Sequence, residues 1–187
     1  MAIRLRAGLA PDLGFLSELA REAFEHFGDY DRLLPEWART PGIELTVAEE
    51  DGQRVGLTLL GFFDEPPRPP GVRERSDGVA GAPEAREPGF TSGASRPTAV
   101  ADLLAIAVAG PHRRRGVGRQ LLQAALKRAR ELARVNVVCA LRLTVAEGNA
   151  AARHLFESAG FEYVPQHDGH YPKGQRALRM ELALEPE

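Results

Sequence analysis

Apolar residues recur along this chain with two periods, and the switches between them mark out its elements. Ile3 to Arg6 alternates apolar and charged side chains, the pattern of a strand with one face covered. After Pro11 the spacing changes. Leu16, Leu19, Ala20, Ala23, Phe24 and Phe27 recur every three or four residues, which predicts a helix with Pro11 in its first turn. Arg32 to Arg39 fits a second short helix, with Pro35 inside it and Pro41 beyond it. Glu44 to Glu49 and Arg54 to Phe63 read as strands. The Asp51-Gly52 pair between them suits the positive φ that both central residues of a tight hairpin need.

Ala99 to Val108 reads as a buried strand, followed after Gly118 by a helix whose stripe is Leu121, Leu122, Ala125, Leu126, Ala129, Leu132 and Ala133. Val137 to Val145 is the next strand, with Leu141, Leu143 and Val145 on one face. Asn149 suits the N-cap of a helix that buries Ala152, Leu155, Phe156 and Ala159, and Gly160 stands where a helix end favours positive φ. Phe161 to Val164 and Ala177 to Leu184 read as two closing strands around a polar loop, Pro165 to Gln175. The order β α α β β β α β α β β, without internal repeat, predicts a mixed α/β sheet. Between Asp64 and Pro97 periodicity gives way to Pro, Gly, Ser and charge. This 34-residue stretch reads as an insertion, either a mobile excursion from a strand connection or a lid over substrate.

Composition narrows the classes. With 187 residues and 43% hydrophobic content the chain can bury a real core, and a single domain spanning 1–187 is expected. Of the 24 Lys plus Arg only Lys127 and Lys173 are lysine, and a net charge of −2 argues against a nucleic-acid-binding surface. No apolar run approaches the roughly 20 residues that cross a bilayer, and the N-terminus lacks a signal segment. The expectation is a soluble cytoplasmic protein without membrane or nucleic-acid partners. Cys139, alone, cannot form an internal disulfide and reads as a core residue of its strand rather than a nucleophile.

Candidate chemistry centres on Arg113-Arg114-Arg115-Gly116-Val117-Gly118, a Gly-rich turn between a strand and a helix. The first amides of that helix have no helical partner and sit at the positive end of its dipole, so the turn suits phosphate. A dinucleotide fingerprint needs a third glycine where Leu121 stands, and the Gly-Lys-Ser/Thr of a P-loop is absent. Arg-x-x-Gly-x-Gly after Ile106-Ala107-Val108 resembles the acyl-coenzyme A turn of the GCN5-related N-acetyltransferase (GNAT) family. Asn149 to Phe161, in which an Asn opens a helix that ends in Gly-Phe, resembles the family's second signature, and Leu5-Arg6-Ala7 with Asp12 its first strand and helix start.

The resemblance implies a mostly antiparallel sheet flanked by helices, with splayed strands forming an acyl-CoA cleft. It implies acetyl-CoA as donor and no metal. Coenzyme A would then be held by Arg113, Arg114, Arg115, Gly116, Val117, Gly118 and Arg119. Its thioester arm would lie along Ile106, Ala107 and Val108, near Asn149, Ala152 and Phe156. An amine acceptor, whether a small molecule, a peptide N-terminus or a lysine, would attack directly, with a backbone N–H near Val108 or Ala109 stabilising the oxyanion. Homodimers are frequent in the family.

Direct attack requires a neutral amine. Asp102 is the leading candidate base, because the period of two places it on one face with Leu104, Ile106 and Val108; the alternative is a carboxylate that merely bonds the neighbouring loop. Glu49 and Glu50, through water, are further candidates. Many relatives have Tyr where this chain has Phe156, so protonation of the departing thiolate falls to Tyr171, Tyr163, Ser158 or water, helped by a thiol pKa of about 8.5. Asp29, Tyr30, Asp31, Glu36 and Trp37 occupy the family's usual acceptor region. His167, Asp168 and His170 form too short a cluster for a metal site, and His26, His112 and His154 read as surface or helix-face residues. A non-catalytic acyl-CoA-binding module or sensor is the competing function.

Overall fold

The computed structural model describes residues 2–65, 98–134 and 138–184. The expected insertion, from 66 onward, lies outside the described residues, as does Val137. Strands β1 (Ile3–Ala7), β2 (Ile43–Glu50), β3 (Gln53–Glu65), β4 (Thr98–Val108), β5 (Val138–Ala146), β6 (Glu162–Tyr163), β7 (Gly169–His170) and β8 (Arg176–Ala183) form one sheet in the order β1-β2-β3-β4-β5-β8-β6. β7 follows β6 along the outer edge of β8. Every pairing is antiparallel except that of β4 with β5. Helices α1 (Leu13–Phe24) and α2 (Tyr30–Trp37) pack on one face against Leu57, Leu59, Ala105 and Ala107. α3 (Val117–Arg134) and α4 (Ala150–Glu157) cover the other, over Leu60, Leu103, Leu141, Leu143 and Met180.

Local chemistry sets the joints. Asp51 and Gly52 take φ of 50° and 81° between β2 and β3. Asn149 Oδ1 accepts the Ala152 N–H at 3.1 Å to cap α4, and Gly160 follows that helix at φ 93°.

Three elements differ from expectation. α2 starts at Tyr30 rather than Arg32 and runs through Pro35. Proline has no N–H for the carbonyl of Asp31, and the Ser17 hydroxyl donates to that oxygen instead, at 2.8 Å. The polar loop after β6 contains the short strand β7. Cys139 is exposed, since Val138 and Ala140 on either side of it take the buried positions of β5.

A bulge in β4 overturns the expected face of Asp102. Leu59 pairs with Ala105 and Leu60 with Leu103, so Leu104 is left between them without a partner in β3. Before the bulge Ala99, Ala101 and Leu103 pack toward α3, and after it Ile106 and Val108 do. Asp102 and Leu104 therefore turn toward α1 and α2, away from Ile106 and Val108. Leu104 and Ala105 both pack on the α1 and α2 side, so alternation breaks at the extra residue and the faces exchange.

Candidate active site

β4 and β5 pair only as far as Leu103 and Leu143. Beyond that point Ala105–Val108 remains paired with β3 and Thr144–Ala146 with β8, but not with each other, so a gap opens between two parallel strands. The Ala109 N–H donates to the Val55 carbonyl at 2.9 Å. By the alternation of an antiparallel ladder, Ile106 and Val108 then direct their amides away from β3 and into the gap. Of the two expected oxyanion donors Ala109 is thus already engaged, and Val108 faces the opening.

The same gap leads to the start of α3. Gln120 N–H bonds the Gly116 carbonyl at 3.1 Å as the first rung of the helix, so the amides of Gly116, Val117, Gly118 and Arg119 precede the ladder. Among the described residues none of these four donates to another backbone carbonyl. Gly116 holds φ 84° and a Cβ there would meet nothing within 4 Å, whereas one at Gly118 would meet Leu155 and Val108 at 3.7 Å. Gly116 is required for its conformation, and Gly118 leaves the floor of the turn low.

The basic side chains of this turn differ in their engagements. Arg113 donates to the Val108 carbonyl at 2.8 Å and to Glu22 at 2.9 Å, tying the turn to β4 and α1. Arg115 donates to Glu50 at 2.9 Å, and Glu50, buried at the end of β2, also meets His112 Nδ1 at 2.8 Å. His112 is therefore a strut under the turn rather than the surface residue expected. Glu49 is likewise taken, by Arg6 at 2.7 Å. Arg114, in the left-handed region at φ 58°, and Arg119 are exposed.

Where the strands part, a cavity of about 500 Å³ opens. Phe24, Phe27, Tyr30, Trp37 and Tyr171 line it with their rings, Phe27 and Tyr171 ring centroids 4.8 Å apart. Asp102, Asp168 and Arg179 supply its charge, while Ile106, Asn149, Ala152 and Phe156 also reach it. The segment from Phe27 to Thr40 contributes the rings of Phe27, Tyr30 and Trp37, but its acidic residues Asp29, Asp31 and Glu36, expected to suit a cationic amine, do not line the cavity. Neither do Glu49, Glu50, Tyr163 or Ser158.

Residues 13–161 match the family described as Acetyltransferase (GNAT) family. The chain belongs to that family.

Solved structures similar to this GNAT protein include Arabidopsis thaliana NAA60 with a bisubstrate analogue, at 15% identity and TM-score 0.70, covering all of both chains. The ribosomal-protein-S18-alanine N-acetyltransferase of Escherichia coli is 18% identical with TM-score 0.66, over 98% of this chain and 95% of that one. The yncA protein of Salmonella typhimurium, solved with its cofactor acetyl-CoA, is 20% identical with TM-score 0.64, over 100% and 96%. At these identities the likeness is one of fold. A comparison with curated proteins found no match.

Within this GNAT fold, Asp102 pairs with Arg142 at 3.3 Å and lies 3.6 Å from Arg179. The Tyr171 hydroxyl donates to the Thr144 carbonyl, on the far lip of the gap, at 3.2 Å. Burial pushes its phenol well above the ordinary tyrosine range. Tyr163 is tied outside the cavity to Asp168, and Ser158 to the Leu155 carbonyl at 2.8 Å. Phe156 is buried, edge-on to Phe161 at 5.9 Å. The arginines at 142 and 179 escaped the sequence reading. Their signal was the one that singled out Asp102, a charge inside an otherwise apolar strand, here Leu141 to Leu143 and Leu178 to Met180.

Proposed function

We propose that this protein transfers an acetyl group from acetyl-CoA to a primary amine by direct attack. The observation that carries this reading is the continuity of three features: open amides before α3, the gap between β4 and β5, and the cavity at its closed end. The amides of Gly116 to Arg119, with Arg114 and Arg119 nearby, suit a diphosphate. The gap-facing edge of Ile106 and Val108 suits an extended amide-bearing arm, which pairs with it as a strand would. A thioester carried by that arm reaches the cavity at the bulge.

The amine is held in the cavity and gives up a proton before attack. Asp102 is the proposed acceptor, since it is a cavity-lining carboxylate on the strand that borders the gap; Arg142 and Arg179, at 3.3 and 3.6 Å, flank it. The nitrogen lone pair then forms the new bond to the thioester carbon while the Val108 N–H faces the developing oxyanion. The C–S bond breaks, its electrons leave on sulfur, the sulfur takes a proton to depart as thiol, and the nitrogen releases its second proton, which restores the proton donor and leaves a neutral amide. Tyr171 is the proposed donor. Its raised pKa keeps the phenol protonated throughout the working pH range, so its own titration stays out of the pH profile.

Two measurements test the chemistry. Protein mixed with acetyl-CoA and a broad panel of amines should release free thiol; CoA binding without release from any of them would favour the sensor reading. Asp102→Asn should lower turnover roughly 10- to 100-fold at pH 7 and less at pH 9, where more of the amine is already neutral. An equal loss at both pH values would remove Asp102 from the role of base.

A further inference from the structure

Arg179 lines the cavity and is ion-paired with Asp102, while its Nε, shielded from solvent, makes no hydrogen bond. Its Nη1 lies 3.6 Å from Asp102 Oδ1, beyond hydrogen-bond reach, and its side chain is 29% exposed. The carboxylate of Asp168 is no substitute. It accepts from Arg176 at 2.8 Å and from Tyr163, and meets only the backbone N–H of Arg179, at 3.3 Å. A guanidinium carries five donors in a rigid fork, and the solvent-reached part of this one, which lines the cavity, is available to a ligand. The group that matches the fork is a carboxylate, taken two-pronged.

The surroundings define the rest of the ligand. Asp102, on β4, offers negative charge beside the positive charge of Arg179, on β8. A molecule bound to both would carry an ammonium and a carboxylate close together, as they are around one α-carbon. Phe24, Phe27, Tyr30, Trp37 and Tyr171 line the same cavity with their rings. Burial of an apolar side chain against them adds affinity that a polar one lacks.

We propose that Arg179 binds the carboxylate of the acceptor, and that the acceptor is a free amino acid with an apolar side chain. This rests on the acetyl-transfer reading above and names its substrate class. Asp102 attracts the ammonium of that zwitterion before taking its proton, and the carboxylate on Arg179 fixes the nitrogen at the gap. A peptide N-terminus offers the same nitrogen but only a neutral carbonyl for the fork.

The test compares L-leucine, L-methionine and L-phenylalanine with their amides and with the amines left on decarboxylation. Binding to the CoA-saturated protein is followed by calorimetry, and turnover by thiol release with acetyl-CoA. At least one acid should bind roughly 10- to 100-fold more tightly than its amide and its amine, the range of a charge-assisted pair. Arg179→Gln, with its melting temperature checked, should erase the difference. Arg179→Lys should keep part of it, and serves if the glutamine variant does not fold. Equal binding of acid and amide by the unaltered protein, binding of none of them, or a preference that survives Arg179→Gln overturns the proposal. Acids that bind and are never acetylated would refute acetyl transfer and leave the carboxylate site standing. Turnover of amines without preference for acids would do the reverse.

Discussion

Gly116 sits at φ 84° in open space, so what it supplies is a backbone path rather than room beside a neighbour. Gly116→Val would strain that path by roughly 1–2 kcal/mol and displace the amides behind it. Acetyl-CoA affinity by calorimetry should fall about tenfold, a drop of about 1.4 kcal/mol; unchanged affinity would take the diphosphate away from this turn. Asp12 is a structural counterpart. It is buried, accepts from Arg6 at 2.7 and 2.9 Å and from the Leu9 N–H at 2.8 Å, and pairs with Arg54 at 2.8 Å. The bonds from Arg6 hold its carboxyl well below the usual range. Because the folded value is depressed, its stabilisation is full above an unfolded pKa of about 3.9 and drains away as the pH falls below it. Asp12→Asn should cost roughly 3 kcal/mol at pH 7 and much less near pH 2, measured by denaturant melts; an equal cost at both would contradict the ion-pair account. Features fixed by one or two residues were legible in advance, because φ preference and capping act locally. Asp51, Gly52, Asn149 and Gly160 all belong to that class. Arg179 was not legible, because its partnerless Nε depends on three strands far apart in sequence.

Among the elements, β4 illustrates the boundary. Its apolar pattern gave the strand and nearly its limits, yet nothing in Leu103-Leu104-Ala105 marks the bulge. Register against β3 decides it, and a period of two cannot see a neighbour. The consequence is chemical, since the bulge separates Asp102 from Ile106 and Val108 and turns it toward α1 and α2. Glu50 works at the same scale. From the end of β2 it reaches a segment 62 to 65 positions onward, where it braces the turn before α3 through His112 and Arg115. Glu50→Gln should raise the KM for acetyl-CoA several-fold, consistent with one weakened charge-assisted bond. The KM for acetyl-pantetheine, which lacks the diphosphate, should not move. Equal effects on both donors would make Glu50 a general scaffold residue. Glu50→Asp should recover part of the loss.

Over the whole molecule, one parallel pairing in an otherwise antiparallel sheet creates the site. β4 and β5 run side by side to Leu103 and Leu143 and then part. The divergence joins the α3 turn to an aromatic-walled cavity near α1 and α2. The family resemblance implied such a cleft. Which rings and charges line it emerged only from the packing of α2 and from strand β7, both placed differently by the sequence pattern. The central claim is that donor lies along this path. Its most direct test is an amide titration of the isotope-labelled protein with acetyl-CoA by two-dimensional NMR. Large shifts should be confined to the amides of Gly116 to Arg119 and of Ile106 and Val108, with smaller ones at Thr144 to Ala146. Saturable binding that leaves those amides unmoved while others respond would contradict the account.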